Sequence, residues 1–293
     1  MRQEFKDRIV KTLKDQSSNY TSNNKMAVTF DINPSQLSRL LHGEMDRVVS
    51  DSKLRQLARK LNVPENPFNA WNTAKTEAFE FLYAQLEACQ ENSISSIFCD
   101  NADLGKSHTA KQYCKEHRNA VYIDCSQVKS RQKLIKQIAK EFGIDHEGRY
   151  STIYEDLTHY IRSMTTPLVI LDEAGDLEYP AFLELKALWN ATEFSCACYM
   201  MGADGLKEKL NRSRNLKKVG FAEVFRRFGS RYQRVTPEGE LAVREFLKRQ
   251  MAQVAAANNC QMSMKDLWAK TNGSLTRVYI EIQKEKRIHG KAS

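Results

Sequence analysis

The sequence predicts an α/β fold, a mainly parallel sheet flanked by helices and preceded by an all-α segment, and three observations predict it. From about residue 73 onward, short apolar runs alternate with helix-period stretches, the pattern of strands buried on both faces with helices between them. The first strand, SISSIFC, ends at Cys99 and leads into Gly105, Lys106 and Ser107. The third, PLVILDE, ends in Asp172 and Glu173. Open parallel sheets bind ligands beyond the carboxyl ends of their strands, so both motifs fall where such a fold places a site.

The chain opens on helices. An amphipathic start, Gln3 to Lys14, is followed by the polar gap SSNYTSNN and a compact cluster. Lys25 to Phe30 form a short helix, Asp31 to Asn33 a turn and Pro34 to His42 a second helix, with Asn33 at the N-cap, Pro34 at the first helical position and Gly43 at the stop. Leu37, Leu40 and Leu41 share the inward face, which turns Ser35, Gln36, Ser38 and Arg39 outward. A further helix, Asp51 to Leu61, buries Leu54, Leu57, Ala58 and Leu61.

This is a helix-turn-helix pattern, whose second helix sets polar residues against base edges in the major groove. The segment INPSQLSRLLHGE resembles the recognition helix of lambda-repressor-like domains. Gln36 and Arg39 are then the base-reading candidates, beside Ser35, because both make bidentate contacts. Lys25, Arg47, Lys53 and Arg55 are phosphate candidates. A helical protein-docking domain with a solvated polar face would show the same pattern.

Residues 1–63 thus form a first domain, and NVPENPFNAWN, with two of the six prolines, marks a linker at 64–72. A long helix from about Thr73 to Gln90 precedes the sheet, whose other strands are NAVYIDC and CACYMMG. The loop DNADLGKSHTA carries the end of the Walker A pattern: backbone amides and Lys106 cradle phosphates, and the Ser107 hydroxyl holds magnesium. Asn101, Ala102, Leu104 and His108 complete the loop contacts. The pattern asks for glycine where Asp100 stands, and Asp103 is acidic too, so two carboxylates are expected to face a triphosphate. Asp172, 66 residues after Lys106, completes a Walker B arrangement in which it positions Mg2+ and Glu173 polarises water.

Composition narrows the partners. A formal net charge of +9 over 293 residues favours polyanions, nucleic acid first. No run approaches the roughly 18 apolar residues of a membrane span, and MRQEFKDR lacks the core of a signal peptide, so a cytoplasmic protein without membrane contact is expected. The seven scattered cysteines lack zinc-clasp spacing, and Cys196 and Cys198 are read as packing on one strand face.

Over nearly its whole length the chain resembles the AAA+ family, and within it the Mu-type transposition B proteins and related insertion-sequence helper ATPases. The resemblance rests on the leading helix-turn-helix, the run GKSHTAKQYCKEHRNAVYIDCSQVKSRQKLIKQIAKEFG and the strand LVILDEAGDL. It implies an ATP- and Mg2+-dependent helical oligomer on duplex DNA that marks a target, recruits a transposase and is taken apart by hydrolysis. It implies a core over 73–235 and a helical lid over 236–293. VFRRFGSRYQRV resembles the arginine-finger region, giving Arg226 or Arg227 and then Arg231, and TNGSLTRV resembles sensor 2, giving Arg277. Asp204 stands in for the sensor that ends the fourth strand, since Ala203 has no polar group. Lys207, Lys209, Arg212, Arg214, Lys217 and Lys218 form a basic loop suited to backbone phosphates, and KEKRIHGK ends the lid. Two other readings share these motifs: a DNA-binding regulator with a degenerate ATP fold, favoured by the acidic loop, and a replication initiator or loader ATPase.

Overall fold

A computed structural model describes residues 1, 3–45, 47–61, 63, 65 and 71–289. Most of the 64–72 linker and the last residues of the basic C-terminal run lie outside the described residues. No described helix is long and apolar enough to cross a membrane.

Four helices come first: α1 Gln3–Ser17, α2 Asn23–Phe30, α3 Pro34–Leu41 and α4 Asp51–Lys60. They close around their own core, including Phe5, Ile9, Leu13, Met26, Leu37, Leu40, Leu54 and Leu57. At about 1.5–3 kcal/mol per buried large aliphatic side chain, this unit carries its own hydrophobic stabilisation. Each boundary has a local cause. Ser22 accepts from Lys25 N and starts α2 two residues before the expected Lys25, and Ser50 does the same for α4. Asn33 caps α3 in a reciprocal box with Gln36, and Asp31 turns the chain in the left-handed region (φ 54).

The core sheet contains β1 Ser96–Cys99, β2 Ala120–Asp124, β3 Leu168–Asp172, β4 Ala197–Gly202 and β5 Tyr232–Gln233, all parallel, in the order β2-β3-β4-β1-β5. The two-residue β5 has no apolar run to announce it and was not expected. Side chains alternate across the sheet. Ile97, Val169, Leu171, Cys198 and Met200 face α7 Arg131–Glu141, α8 Tyr150–Ser163 and α9 Tyr179–Ala191. Phe98, Leu168, Ile170, Tyr199 and Met201 face α5 Glu77–Asn92 and α6 Lys106–Glu116. Cys196 and Cys198 pack in the first of these clusters, as the sequence suggested.

Two expectations change. The long helix starts at Glu77 and not Thr73, because Thr76 accepts from Phe79 N as its cap. Of the basic stretch after β4, Lys207, Lys209, Arg212 and Arg214 lie not in a loop but on a helix, α10 Asp204–Asn215, while Lys217 and Lys218 lie in the connection to α11 Phe221–Arg227. Leu206 and Leu210 bury one face of α10, which supplies the reason. The C-terminal part is helical: α12 Glu240–Ala257, α13 Met264–Thr271 and α14 Leu275–His289, around Met251, Val254, Leu267, Val278 and Ile282.

The N-terminal helices dock on the core through α2. Thr29 Oγ1 donates to Lys140 O, Asp31 pairs with both Lys60 and Lys140 at 2.9 Å, and Asn19 Nδ2 donates to Lys115 O on α6.

Candidate active site

The loop between β1 and α6 decides the site's chemistry. Gly105 takes a left-handed conformation (φ 79), so α6 begins at Lys106 with its free N–H groups turned toward the loop. Lys106 is buried, and Nζ donates to Asp100 O at 2.9 Å and Asn101 O at 2.6 Å. Burial lowers its pKa, while the charges of Asp100, Glu173 and Asp172 oppose the shift.

Asp100 does not face the space above the loop, contrary to the expectation from sequence, whereas Asp103 is exposed and lines it. Asp100 is 2% exposed, with Oδ2 accepting from Val235 N (2.7 Å) and Thr236 N (2.9 Å) and Oδ1 accepting from Asn101 N (2.8 Å). It ties the loop to the segment after β5. Asp103, itself at φ 61, accepts from Ser274 Oγ (2.6 Å) and Thr276 Oγ1 (2.7 Å) at the start of α14. Those two hydrogen bonds hold its carboxyl below the usual range against its desolvation.

Asp172 ends β3 and is buried; Oδ2 accepts from Tyr122 Oη at 2.6 Å and Oδ1 from Glu173 N at 3.0 Å. Glu173 is exposed and left-handed (φ 49), a strained conformation for a non-glycine residue. Partial burial, and then the neighbouring Asp172, push its pKa up. Tyr122 was not singled out from sequence. Its signal was a phenol on a strand otherwise apolar between Ala120 and Ile123, and the Ser107 hydroxyl lies beside its own.

A cavity of about 440 Å³ joins these parts. Its loop end includes Ala102, Asp103, Leu104, Gly105, Lys106, Ser107, His108 and Glu173, and its apolar wall includes Trp71, Phe79, Val254, Leu275 and Tyr279. Trp71 and Tyr279 meet edge to face at 4.8 Å. His108 Nε2 bonds Thr73 Oγ1 at 2.9 Å, and burial lowers its pKa. Among the other expected contacts, Asn101 stands behind the loop with its carbonyl on Lys106. Ala203 lines the cavity, whereas Asp204 is an exposed first residue of α10, and Thr276 lines it where the exposed Arg277 does not. The aromatic wall is assembled from segments far apart in the chain, which no local motif signals.

An apolar slot ending at a helix N-terminus with a lysine suits a nucleotide, ring at one end and phosphates at the other. For Mg2+ the donors are hard oxygens from Ser107 and Asp172. No group of three or more His, Cys, Asp or Glu among the described residues could hold a metal. That donor set fits an ion carried mainly by phosphates and water.

The expected arginines separate. Arg226 is exposed at the end of α11. Arg227 lies over the Trp189 ring at 4.8 Å with Nη1 buried and unbonded, so it is folded back onto the chain; Arg231 is exposed.

The expected nucleic-acid contacts separate as well. Ser35 and Arg39 are exposed on α3, although Arg39 pairs with Glu44 at 2.7 Å. Gln36 does not face outward: it is half-buried, with Nε2 donating to Val48 O at 2.9 Å and Oε1 accepting from Asn33 N. Lys25 is half-buried over the Tyr160 ring at 4.5 Å, inside the domain contact. On α10, Lys207 and Arg212 are exposed. Lys209 instead donates to Gly175 O (2.7 Å) and Leu177 O (2.6 Å), holding the turn after β3, and Arg214 stacks on Phe225 at 3.8 Å.

Residues 102–210 match the family model of an AAA domain, a segment that runs from the phosphate loop through β4 into α10. No curated protein matches the chain. The match and the sheet support a P-loop ATPase of the AAA type.

Proposed function

We propose that this chain is an ATP-hydrolysing, DNA-binding protein that assembles as a helical oligomer on duplex DNA, selects a transposition target and recruits a transposase, with hydrolysis driving disassembly. One observation carries the ATPase part: the start of α6, Glu173 and the C-terminal helices line a single cavity, with Asp172 buried directly behind Glu173. In this reading Lys106 and the first amides of α6 hold the phosphates, and Ser107 and Asp172 hold Mg2+, which supplies charge neutralisation. Glu173 orients and deprotonates the attacking water. Arg226 of one subunit reaches the nucleotide of the next, and Arg277, exposed beside the cavity-lining Thr276, swings in to the phosphates when nucleotide binds.

The exposed cations of α3 and α10 and the sequence resemblance support the DNA and transposition parts. With Gln36, Lys25, Lys209 and Arg214 committed to internal contacts, Arg39, Ser35, Lys207 and Arg212 are the stronger DNA candidates. Asp100, turned to Val235 N and Thr236 N, leaves one loop carboxylate at the cavity, Asp103, whose oxygens are engaged by Ser274 and Thr276, and this weakens the argument for a degenerate site.

The test is a DNA-stimulated ATPase assay beside electron microscopy of duplex DNA with and without ATP. Glu173→Gln is expected to bind ATP and to turn over about 100-fold or more slower. Filaments that form equally well without nucleotide, together with an inert Lys106→Ala, would sink the proposal.

A further inference from the structure

A second cavity, of about 380 Å³, lies between the N-terminal helices and the core. Gln16, Asn19, Tyr20 and Arg59 line it from one side, and Lys111, Lys115 and Tyr122 from the other. Its charge is one-sided. Arg59, Lys111 and Lys115 make no ion pair among the described residues. Lys60 also lines it but is paired with Asp31, which it shares with Lys140, and Lys25 is stacked on Tyr160. The acidic lining residue is Glu141, which accepts from Gln137 Nε2 at 2.7 Å.

We propose that this cleft binds a small phosphate-bearing ligand, at a site distinct from the cavity at the phosphate loop. Lys111 and Lys115 stand one turn apart on α6, so both face the cleft and repel each other, a pairing that destabilises an isolated helix by a few tenths of a kcal/mol. A phosphate between them turns that repulsion into two charge-assisted hydrogen bonds, with Arg59 closing from the other domain. Burial works in the same direction: it lowers the pKa of Lys115 and raises that of Glu141, so the cleft holds incompletely solvated cations beside a carboxyl whose neutral form is favoured. The volume is that of small-ligand pockets, and the docked helices that roof it leave room for a nucleotide-sized molecule and not for a duplex.

The site also adjoins the ATPase machinery. Lys111 Nζ lies 4.9 Å from the Tyr122 ring centroid, and Tyr122 Oη holds Asp172. A ligand drawing Lys111 toward its phosphates would act on that tyrosine.

The experiment is isothermal titration calorimetry of the full chain, without metal, using inorganic tripolyphosphate as the probe. Lys106→Ala weakens the phosphate-loop site and serves as the background. That variant is expected to keep one tripolyphosphate site per chain. Adding Lys111→Ala with Lys115→Ala, or Arg59→Ala alone, should weaken it about ten-fold or more, the scale of one charge-assisted contact. ATP in the same background identifies the source of the phosphates: tighter binding than tripolyphosphate points to a nucleotide, weaker binding to an inorganic chain, and both support the site. No binding to Lys106→Ala, or binding indifferent to Lys111, Lys115 and Arg59, overturns the proposal. So does displacement of the probe by a short duplex whose own binding those substitutions abolish, because the cleft would then be a DNA contact.

Discussion

Asp100 stands where the phosphate-loop pattern asks for glycine, and its side chain does work that glycine cannot. It accepts from three backbone N–H groups, Asn101, Val235 and Thr236, and is almost wholly buried. Replacing it removes the acceptor and leaves buried donors unpaired. Asp100→Gly, which restores the sequence pattern, is therefore expected to lower stability by about 2–4 kcal/mol, read as a fall in midpoint in thermal unfolding. A glycine variant as stable as the parent would show that the bonds are dispensable. Tyr122 is the second residue whose role came from the structure alone. Its hydroxyl holds one oxygen of Asp172 while Glu173 N holds the other, fixing the carboxylate. Tyr122→Phe should raise the Mg2+ concentration needed for half-maximal binding of a fluorescent ATP analogue about ten-fold, the lower end of the roughly 10–100-fold that lost outer-shell partners cost. Binding without metal should hardly change. Equal losses with and without Mg2+ would mean a general packing defect.

At the scale of elements, the C-terminal helices meet the phosphate loop through a polar contact, Asp103 with Ser274 and Thr276 at the start of α14, and through Leu104 packed with Phe246 of α12. The pH dependence of the polar contact follows from the direction of the shift. Asp103 titrates below its ordinary value of 3.8 in the folded chain, so the contact contributes fully above that pH and is lost as pH falls through the lowered folded value. Hydrogen exchange at the first turn of α14 should therefore be flat from neutrality down to mildly acidic pH and rise only below it, and Asp103→Asn should flatten that rise. An increase beginning near neutrality would assign it to another group. The elements themselves were unevenly legible. The first four strands were readable because each is a continuous apolar run, and α3 because Asn33, Pro34 and Gly43 punctuate it. The strand β5 was not, because two residues carry no period, and α10 was misread because its charged residues outnumber the leucines that bury it. The polar half of the site was readable as motifs. The apolar half joins Trp71 and Phe79 to Val254, Leu275 and Tyr279, two stretches far apart in the chain, so only tertiary structure brings it together.

At the scale of the whole molecule, the open issue is whether the N-terminal helices ride on the core as one body. Their contact turns on Gly143, just past α7, with φ 71. A Cβ there would sit 2.4 Å from Lys25 O and 2.5 Å from Lys25 Cβ, so any side chain pushes α2 off α7. Asp31 stands in the same contact, and its pairs with Lys60 and Lys140 lengthen if α2 moves. Gly143→Ala is thus expected to undock the N-terminal helices, increasing the radius of gyration in solution scattering, while ATP affinity stays within about two-fold because the nucleotide cavity is elsewhere. Gly148→Ala is the matched control: it too has a positive φ, 106, but its Cβ would meet nothing within 4 Å. It carries a comparable left-handed backbone cost, about 1–2 kcal/mol, without the collision. If the two variants scatter alike, backbone strain and not the α2–α7 contact governs the arrangement. If only Gly143→Ala expands, the two domains are held by that contact, and the cleft they enclose, with its unpaired lysines over α6, is a fixed feature of the folded chain.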